Sequence, residues 1–522
     1  MSFRVRLRPP RNRQLSLPRQ GGVAVSDLSP GTASPEPTQL RRVLKVRHAV
    51  ITSLAVITPT GAILFLPIPI AAFAGKAMPL SIVVAFAVTF VIMNAIYRFS
   101  QRIAHAGSFY AFVRASLGTE TGFFAGWLFM AFYPVLVGLD MILFGATLNG
   151  IIVAHGGPNI PWWLLMVIGL ALIWAIGVIG IRFSARSDLV LLVFEIGVLL
   201  ALAVTILVSG APGGDWHAQV FNPSSAPGGF GNVAVGAVFG VLAFTGFEAS
   251  AYLGEEAQNP RRTIPRALLI TVGLVGTLYV FFFYVVTVGF GLNNVGKIPT
   301  NAAPWDTLGI HYWGAGPTVL VDIASAVALI AGGLAAQNGA ARMALALGRE
   351  GLLPSVLGRT TPRFGTPVWA LTFLLGVSVA MGVGFGAGFQ PLPAFSLLSL
   401  VVTLCALGVY VLAQIGLVRY FAKRGTFNVL WHLILPLAAV AAIVYLYYKS
   451  VVPSPAYPNN LAIWIALGWA ALGLVVLLWL KIRHGALLAH TAEIIGGSDG
   501  PVERELASDV IEDANSGVPA PT

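Results

Sequence analysis

The chain has 522 residues, of which 57% are apolar and only 10% charged, with a mean hydropathy of +0.83. A soluble chain carries about 25% charged residues, so most of this surface faces lipid. The formal net charge of +11 sits mainly in an N-terminal tail and in loops between apolar runs, a pattern of membrane topology and not of nucleic-acid binding.

Residues 1–48 hold ten Lys/Arg against Asp27 and Glu36, among many Pro, Ser and Gly. Such a composition cannot bury a core, which predicts a disordered basic cytoplasmic tail. Docking on anionic lipid head groups is its second reading. No apolar segment precedes residue 49, so the tail does not resemble a cleaved signal peptide. Runs of roughly 20 apolar residues then recur, each long enough to cross the hydrocarbon core. They are continuous and do not alternate with period two, so helices are expected, not a barrel. Twelve spans are predicted, near 49–74, 78–97, 122–152, 161–181, 188–209, 231–253, 266–291, 317–338, 367–386, 394–418, 428–448 and 460–481. The single cysteine, Cys405, falls in the tenth and can form no internal disulfide. Residues 485–522, with seven acids and one Arg, predict an acidic disordered tail.

Charge fixes the expected orientation. The loops on the side of the N-terminal tail hold fifteen Lys/Arg, and the opposite loops hold three, Lys76, Lys297 and Lys449. Positive charge stays cytoplasmic, so both termini are expected inside, in a multi-pass protein of the plasma (inner) membrane.

Two spans carry interruptions. The first reads Ile57-Thr58-Pro59-Thr60-Gly61-Ala62, where Pro59 removes a backbone donor and Gly61 loosens the helix. The sixth reads Leu242-Ala243-Phe244-Thr245-Gly246-Phe247-Glu248, a glycine between aromatics followed at once by an acid. Broken helix in lipid is tolerated where it lines a cavity or is buried in protein. Half-helix N-termini offer free N–H groups to an anion, and unwound carbonyls face a cation. A zwitterionic amino acid matches both. Spans 1 and 6 correspond if spans 1–5 and 6–10 are inverted repeats, because five crossings reverse the direction of the second unit. Packing alone is the competing explanation for each break.

These residues resemble the amino acid–polyamine–organocation permeases. The resemblance is carried by Phe244-Thr245-Gly246-Phe247-Glu248 running on to Glu255-Glu256-Ala257-Gln258-Asn259-Pro260-Arg261-Arg262. It is carried also by Arg349-Glu350-Gly351-Leu352-Leu353-Pro354 up to Gly365-Thr366-Pro367, and by Ala106-Gly107-Ser108-Phe109-Tyr110 leading to Gly122-Phe123-Phe124-Ala125-Gly126-Trp127. It covers about residues 45–480 and marks the family more than any substrate. It implies an all-α, LeuT-type 5+5 inverted-repeat core (residues 49–418), with two appended helices (428–481). It implies a substrate carboxylate on the amides of Thr60, Gly61 and Ala62, and an amine at the carbonyls of Leu242, Ala243 and Thr245, beside Gly246. The family's usual Gly-small-Gly triplet is reduced here to Gly61 alone, which alters the carboxylate geometry. Phe244 or Phe247 is a candidate occluding gate.

Acids inside membrane helices are expensive and count as functional candidates. Glu248 either tunes amine binding, takes up a proton, or bonds to span 1. Glu195, two turns into span 5, is either a proton acceptor or a helix-pairing residue. Some relatives place a lysine in this region in lieu of sodium, but this chain has no Lys or Arg inside any span. Asp140 and Asp322 are read as outer-rim residues that could select a cationic side chain, and Asp188 as a helix N-terminal charge.

Other chemistries find no support. No Gly-rich loop with Lys is present for ATP. One Cys and eight scattered His give no metal cluster at ligand spacing, with His105 and His155 at loop edges. No nucleophile elbow or clustered His/Asp/Glu constellation suggests an enzyme, and no cofactor is expected. A channel fits poorly, because no filter loop or ring of acids accompanies the breaks. The expectation is a secondary transporter of amino acids, coupled to protons. The alternatives are an exchanger or a carrier of polyamines or amino alcohols.

Overall fold

The computed structural model describes residues 44–103, 108–179, 185–210, 217–253, 257–349, 354–361, 366–453 and 455–483. Most of both tails, His105, Arg182, Glu255, Glu256, Glu350–Leu353 and Arg363 lie outside these, as does the side chain of Asp188. The described residues form an all-α membrane protein. Twelve helical stretches are long and apolar enough to cross a bilayer, from Val46–Phe65 to Asn459–Ile482.

The chain enters at α1 (Val46–Ile57), a few residues before the expected 49. It continues through α2 (Pro59–Phe65) and α3 (Pro67–Ala74), each with a proline at its first position. A proline there loses no hydrogen bond, and its ring ends the preceding helix. Gly75, at φ 52°, starts the short turn Gly75–Ala77 before α4 (Met78–Ser100). Then follow α5 (Ser108–Leu117), α6 (Thr119–Met130), α7 (Phe132–Ala154), α8 (Trp162–Ile179) and α9 (Ala185–Val208). Beyond them come α10 (Phe230–Phe244), a 3₁₀ segment Phe247–Leu253, α11 (Pro260–Phe290), the short loop helix α12 (Pro304–Trp313) and α13 (Ala315–Arg349). The last four are α14 (Val368–Met381), α15 (Pro391–Lys423), α16 (Leu435–Lys449) and α17 (Ala462–Arg483).

α10 and α15 occupy the interior. Of the apolar window in Pro391–Lys423, 83% is buried, against 17% in the last span. α10 lies close against α3 and α4, because small residues meet there: a Cβ on Gly236 would sit 2.6 Å from Ser81 Oγ, and one on Gly240 2.6 Å from Ala85 Cβ. Close backbone approach through small residues is how helices associate without a hydrophobic driving force. α17 is docked on α6 by the stacked rings of Trp127 and Trp469, 4.8 Å apart. Each indole N–H donates to the other's backbone carbonyl, at 2.9 and 3.0 Å. Apolar side chains such as Val190, Val193, Val204, Val475 and Ile482 stand exposed, as lipid-facing residues do.

Candidate functional site

The two breaks in the sequence are two breaks in the structure. At the first, Thr58 takes φ 46°, ψ 64° between α1 and α2. The residue before a proline is disfavoured in the right-handed helical region, and Pro59 follows it. The Thr58 hydroxyl donates to the Ile57 carbonyl at 2.8 Å. The N–H groups of Gly61 and Ala62 both turn back to the Thr58 carbonyl, at 3.0 and 3.4 Å. Thr60 has no carbonyl one turn back within α2 to bond, so its N–H belongs to the free helix start. Its buried hydroxyl lies beside the Glu195 carboxyl of α9, without a completed hydrogen bond among the described residues. Outside its own helix backbone, the nearest atom a Cβ on Gly61 would meet is Thr58 Oγ1, at 3.9 Å. This side of the break is open.

The second break is closed. α10 ends at Phe244, Thr245 is extended, and Gly246 adopts φ 108°, which side chains rarely tolerate. A Cβ on Gly246 would press on Val56 Cγ1 at 3.1 Å, and on the backbone of Ile57 and Val56 at 3.2 and 3.3 Å. The second break therefore lies flush against the end of α1. Ser53 of α1 locks the contact: its hydroxyl donates to the Phe247 carbonyl at 3.1 Å and accepts from the Ser250 N–H at 2.9 Å. Glu248, 1% exposed, accepts the Gly246 N–H at 3.0 Å.

Two of the three carbonyls expected to meet an amine already have protein donors. Leu242 accepts the Thr245 N–H at 3.0 Å, and Ala243 accepts the Tyr279 hydroxyl of α11 at 2.7 Å. Each keeps one lone pair. The Thr245 hydroxyl donates to the Val241 carbonyl at 3.2 Å. Phe244 is stacked on Phe86 and edge-on to Tyr279, with centroids 5.8 and 5.2 Å away. Phe247 packs on Tyr410 of α15. Both rings are wedged in the core, so neither stands free as a gate in this conformation. The Tyr410 hydroxyl is buried, unpartnered among the described residues, and close to Glu248 and Thr245.

Asp140 is a correction. It was expected at the outer rim, yet it lies beside the first break. Its Oδ2 is 3.1 Å, and Thr58 Oγ1 3.8 Å, from the point where a Cβ on Gly332 of α13 would sit. The signal was available: Asp140 precedes Ala154, the end of α7, by fourteen residues, or about 21 Å of helix. That depth is too great for a rim. Tyr279, Tyr410 and Ser53 went unnoticed because single aromatics and serines carry no pattern. Asp322, by contrast, does lie near the helix ends, with His155 at 3.6 Å.

Comparison with known proteins gives the family. Residues 48–489 match the amino acid permease family. The chain is 26% identical to the low-affinity putrescine importer PlaP of Escherichia coli K12, over 58% of this chain and 66% of the importer, just under two thirds of its length. It is 29% identical to the branched-chain amino acid permease BcaP of Lactococcus lactis over 67% of this chain and 77% of that permease. It is 23% identical to the lysine-specific permease LysP of the same organism, over 64% and 67%. These relatives are permeases, not enzymes. With a match of this extent, the chain belongs to the amino acid permease family.

Proposed function

We propose that this protein is a secondary transporter that carries amino acids across the inner membrane by coupling their entry to protons. The observation that carries the reading is the asymmetry of the breaks: a Cβ on Gly61 would meet only Thr58 Oγ1, at 3.9 Å, near Thr60 and Asp140, whereas one on Gly246 would press on α1. A substrate carboxylate would take the Thr60 N–H and hydroxyl, because Gly61 and Ala62 already spend their N–H groups on Thr58. Its amine would take the remaining lone pairs at Leu242, Ala243 and Thr245. The meeting of α1 with the 3₁₀ segment after α10 supports two inverted repeats, with broken helices in matching positions. The excess of Lys/Arg in one set of loops supports cytoplasmic termini.

Two buried acids are the coupling candidates. Glu195 faces the first half-helix through Thr60, and Glu248 closes the second break. A carboxyl that is neutral when loaded and ionised when empty would tie the proton gradient to substrate movement. The experiment is uptake into sodium-free proteoliposomes with an imposed gradient, acid outside. Gradient-driven accumulation that Glu195→Gln or Glu248→Gln abolishes supports the reading. Full accumulation in both variants removes proton coupling through these acids, and the absence of saturation and counterflow removes carriage itself.

Asp140 favours a second reading of the substrate. A carboxylate at the first break offers a partner to a second ammonium group, so a diamine or a cationic amino acid would be held at both ends. Relatives named for putrescine and lysine support that alternative.

A further inference from the structure

Outside the residues of the breaks, three side chains converge where α7 ends, α12 begins and α13 begins. His155 follows the last residue of α7, Asp306 is in the first turn of α12, and Asp322 in the second turn of α13. One ligand atom of each lies within 4.8 Å of the others. Residues so far apart in sequence form no spacing motif, which is why the sequence suggested no metal cluster. The hydrogen bonding there is incomplete in a specific way. His155 Nδ1 is 3.0 Å from the Ile151 carbonyl, a group that can only accept, so Nδ1 carries the hydrogen. In the neutral ring, Nε2 is then a lone pair, and it stands 3.6 Å from Asp322 Oδ2. Asp306 and Asp322 are 4% and 9% exposed, and the Oδ1 of each is buried with no hydrogen-bond partner among the described residues. With the ring neutral and both carboxyls ionised, three acceptors face one another with no donor between them, an arrangement that needs a proton or a cation to hold it together.

We infer that His155, Asp306 and Asp322 form a binding site for a divalent transition metal ion, with zinc as its representative. One imidazole and two carboxylates suit zinc and its first-row neighbours better than calcium or magnesium, which take oxygen alone. Three protein ligands and a water complete a tetrahedron, with metal–ligand bonds of about 2.0–2.2 Å. The three atoms need to draw together by roughly 1 Å to reach such bonds. His155 is at the exposed end and gives the ion its entry. The Ile151 carbonyl is the outer partner that fixes the tautomer and aims Nε2 at the metal. The ion would staple α12 to α7 and α13. α12 also carries Trp305, whose indole N–H donates to the Ile63 carbonyl of α2 at 2.9 Å. Metal loading therefore restrains a loop helix that rests on the half-helix beyond the first break.

The test is independent of the transport reading. Full-length protein without a histidine tag, stripped with chelator, is titrated with zinc by calorimetry and with cobalt(II) by absorption spectroscopy. The expectation is one zinc ion per chain and a tetrahedral cobalt spectrum that zinc abolishes. His155→Ala and Asp306→Asn should each weaken zinc binding by about tenfold or more, while His311→Ala, on the same loop helix but outside the cluster, leaves it unchanged. Melting curves without metal establish that each variant is folded. Should one fail to fold, the cobalt spectrum of the unaltered protein still decides. No zinc binding would mean that a shared proton holds the carboxyls together, and an octahedral cobalt spectrum that the three side chains do not build a tetrahedral site; either overturns the proposal. Equal zinc binding by the His155 and Asp306 variants overturns it as well.

Discussion

The two broken helices differ in what surrounds the break. Between α1 and α2, the backbone leaves the helix at Thr58, and the ground beside Gly61 is vacant. Between α10 and the following 3₁₀ segment, Gly246 is pressed on Val56 and Ile57, Ser53 ties the two segments of backbone together, and Glu248 accepts from the buried Gly246 amide. Both interruptions look alike in the sequence, a glycine amid apolar residues. One glycine is there because nothing else fits the backbone. Under the proposed function the other leaves room for a ligand, which is then held mainly at the open break against the fixed wall of the closed one.

That contrast can be broken at several positions. The largest effect is expected at Gly246. Alanine there combines an unfavourable positive φ with overpacking on α1, a cost of about 3 kcal/mol together. Gly246→Ala should lower the melting temperature of the purified protein markedly and abolish uptake with it. A variant of normal stability would mean that the second break is looser than the structure has it. The next effect belongs to the open side. Asp140→Asn should reduce uptake of a diamine or lysine by about a hundredfold, the scale of an unpaired buried charge, and leave a neutral amino acid within about threefold. Equal loss for both substrates would make Asp140 structural. The smallest concerns the closed side again. Tyr279→Phe removes the hydroxyl that donates to the Ala243 carbonyl, which should cost about 1 kcal/mol of stability without changing substrate affinity. A rise in KM there would draw the second break into the binding site.

Much of this architecture was legible beforehand. Continuous apolar runs predicted twelve spans, most within a few residues of those found, although residues 67–74, expected in the first span, run on with the second as Pro67–Ser100; Pro59 and Gly246 marked where two helices break. The differences have physical causes. α1 starts at Val46 because the helix runs on past the apolar stretch, and α11 starts at Pro260, since proline fits the first helical position and the later Pro265 does not end the helix. The site was legible in part. Composition names a residue but not its depth or its neighbours, so Asp140 was assigned to the rim. Phe244 and Phe247 are both gate candidates in the sequence, which does not reveal that Phe86 and Tyr279 hold the one ring and Tyr410 the other. The cluster of His155, Asp306 and Asp322 exists only where three helix ends meet, and no one-dimensional spacing predicts it.

The central claim is that the space at Gly61 belongs to the ligand. It is tested most directly by ligand-induced stabilisation of Gly61→Ala, using the amino acid or amine that most raises the melting temperature of the unaltered protein. A Cβ at this position meets no protein atom closer than 3.9 Å outside its own helix backbone, and alanine favours helix over glycine by about 0.5–1 kcal/mol. The account predicts that the variant without ligand melts at or above the temperature of the unaltered protein, while the ligand's shift disappears. A variant that keeps the full ligand shift would contradict it, because the open side of the first break would then not be where the substrate lies.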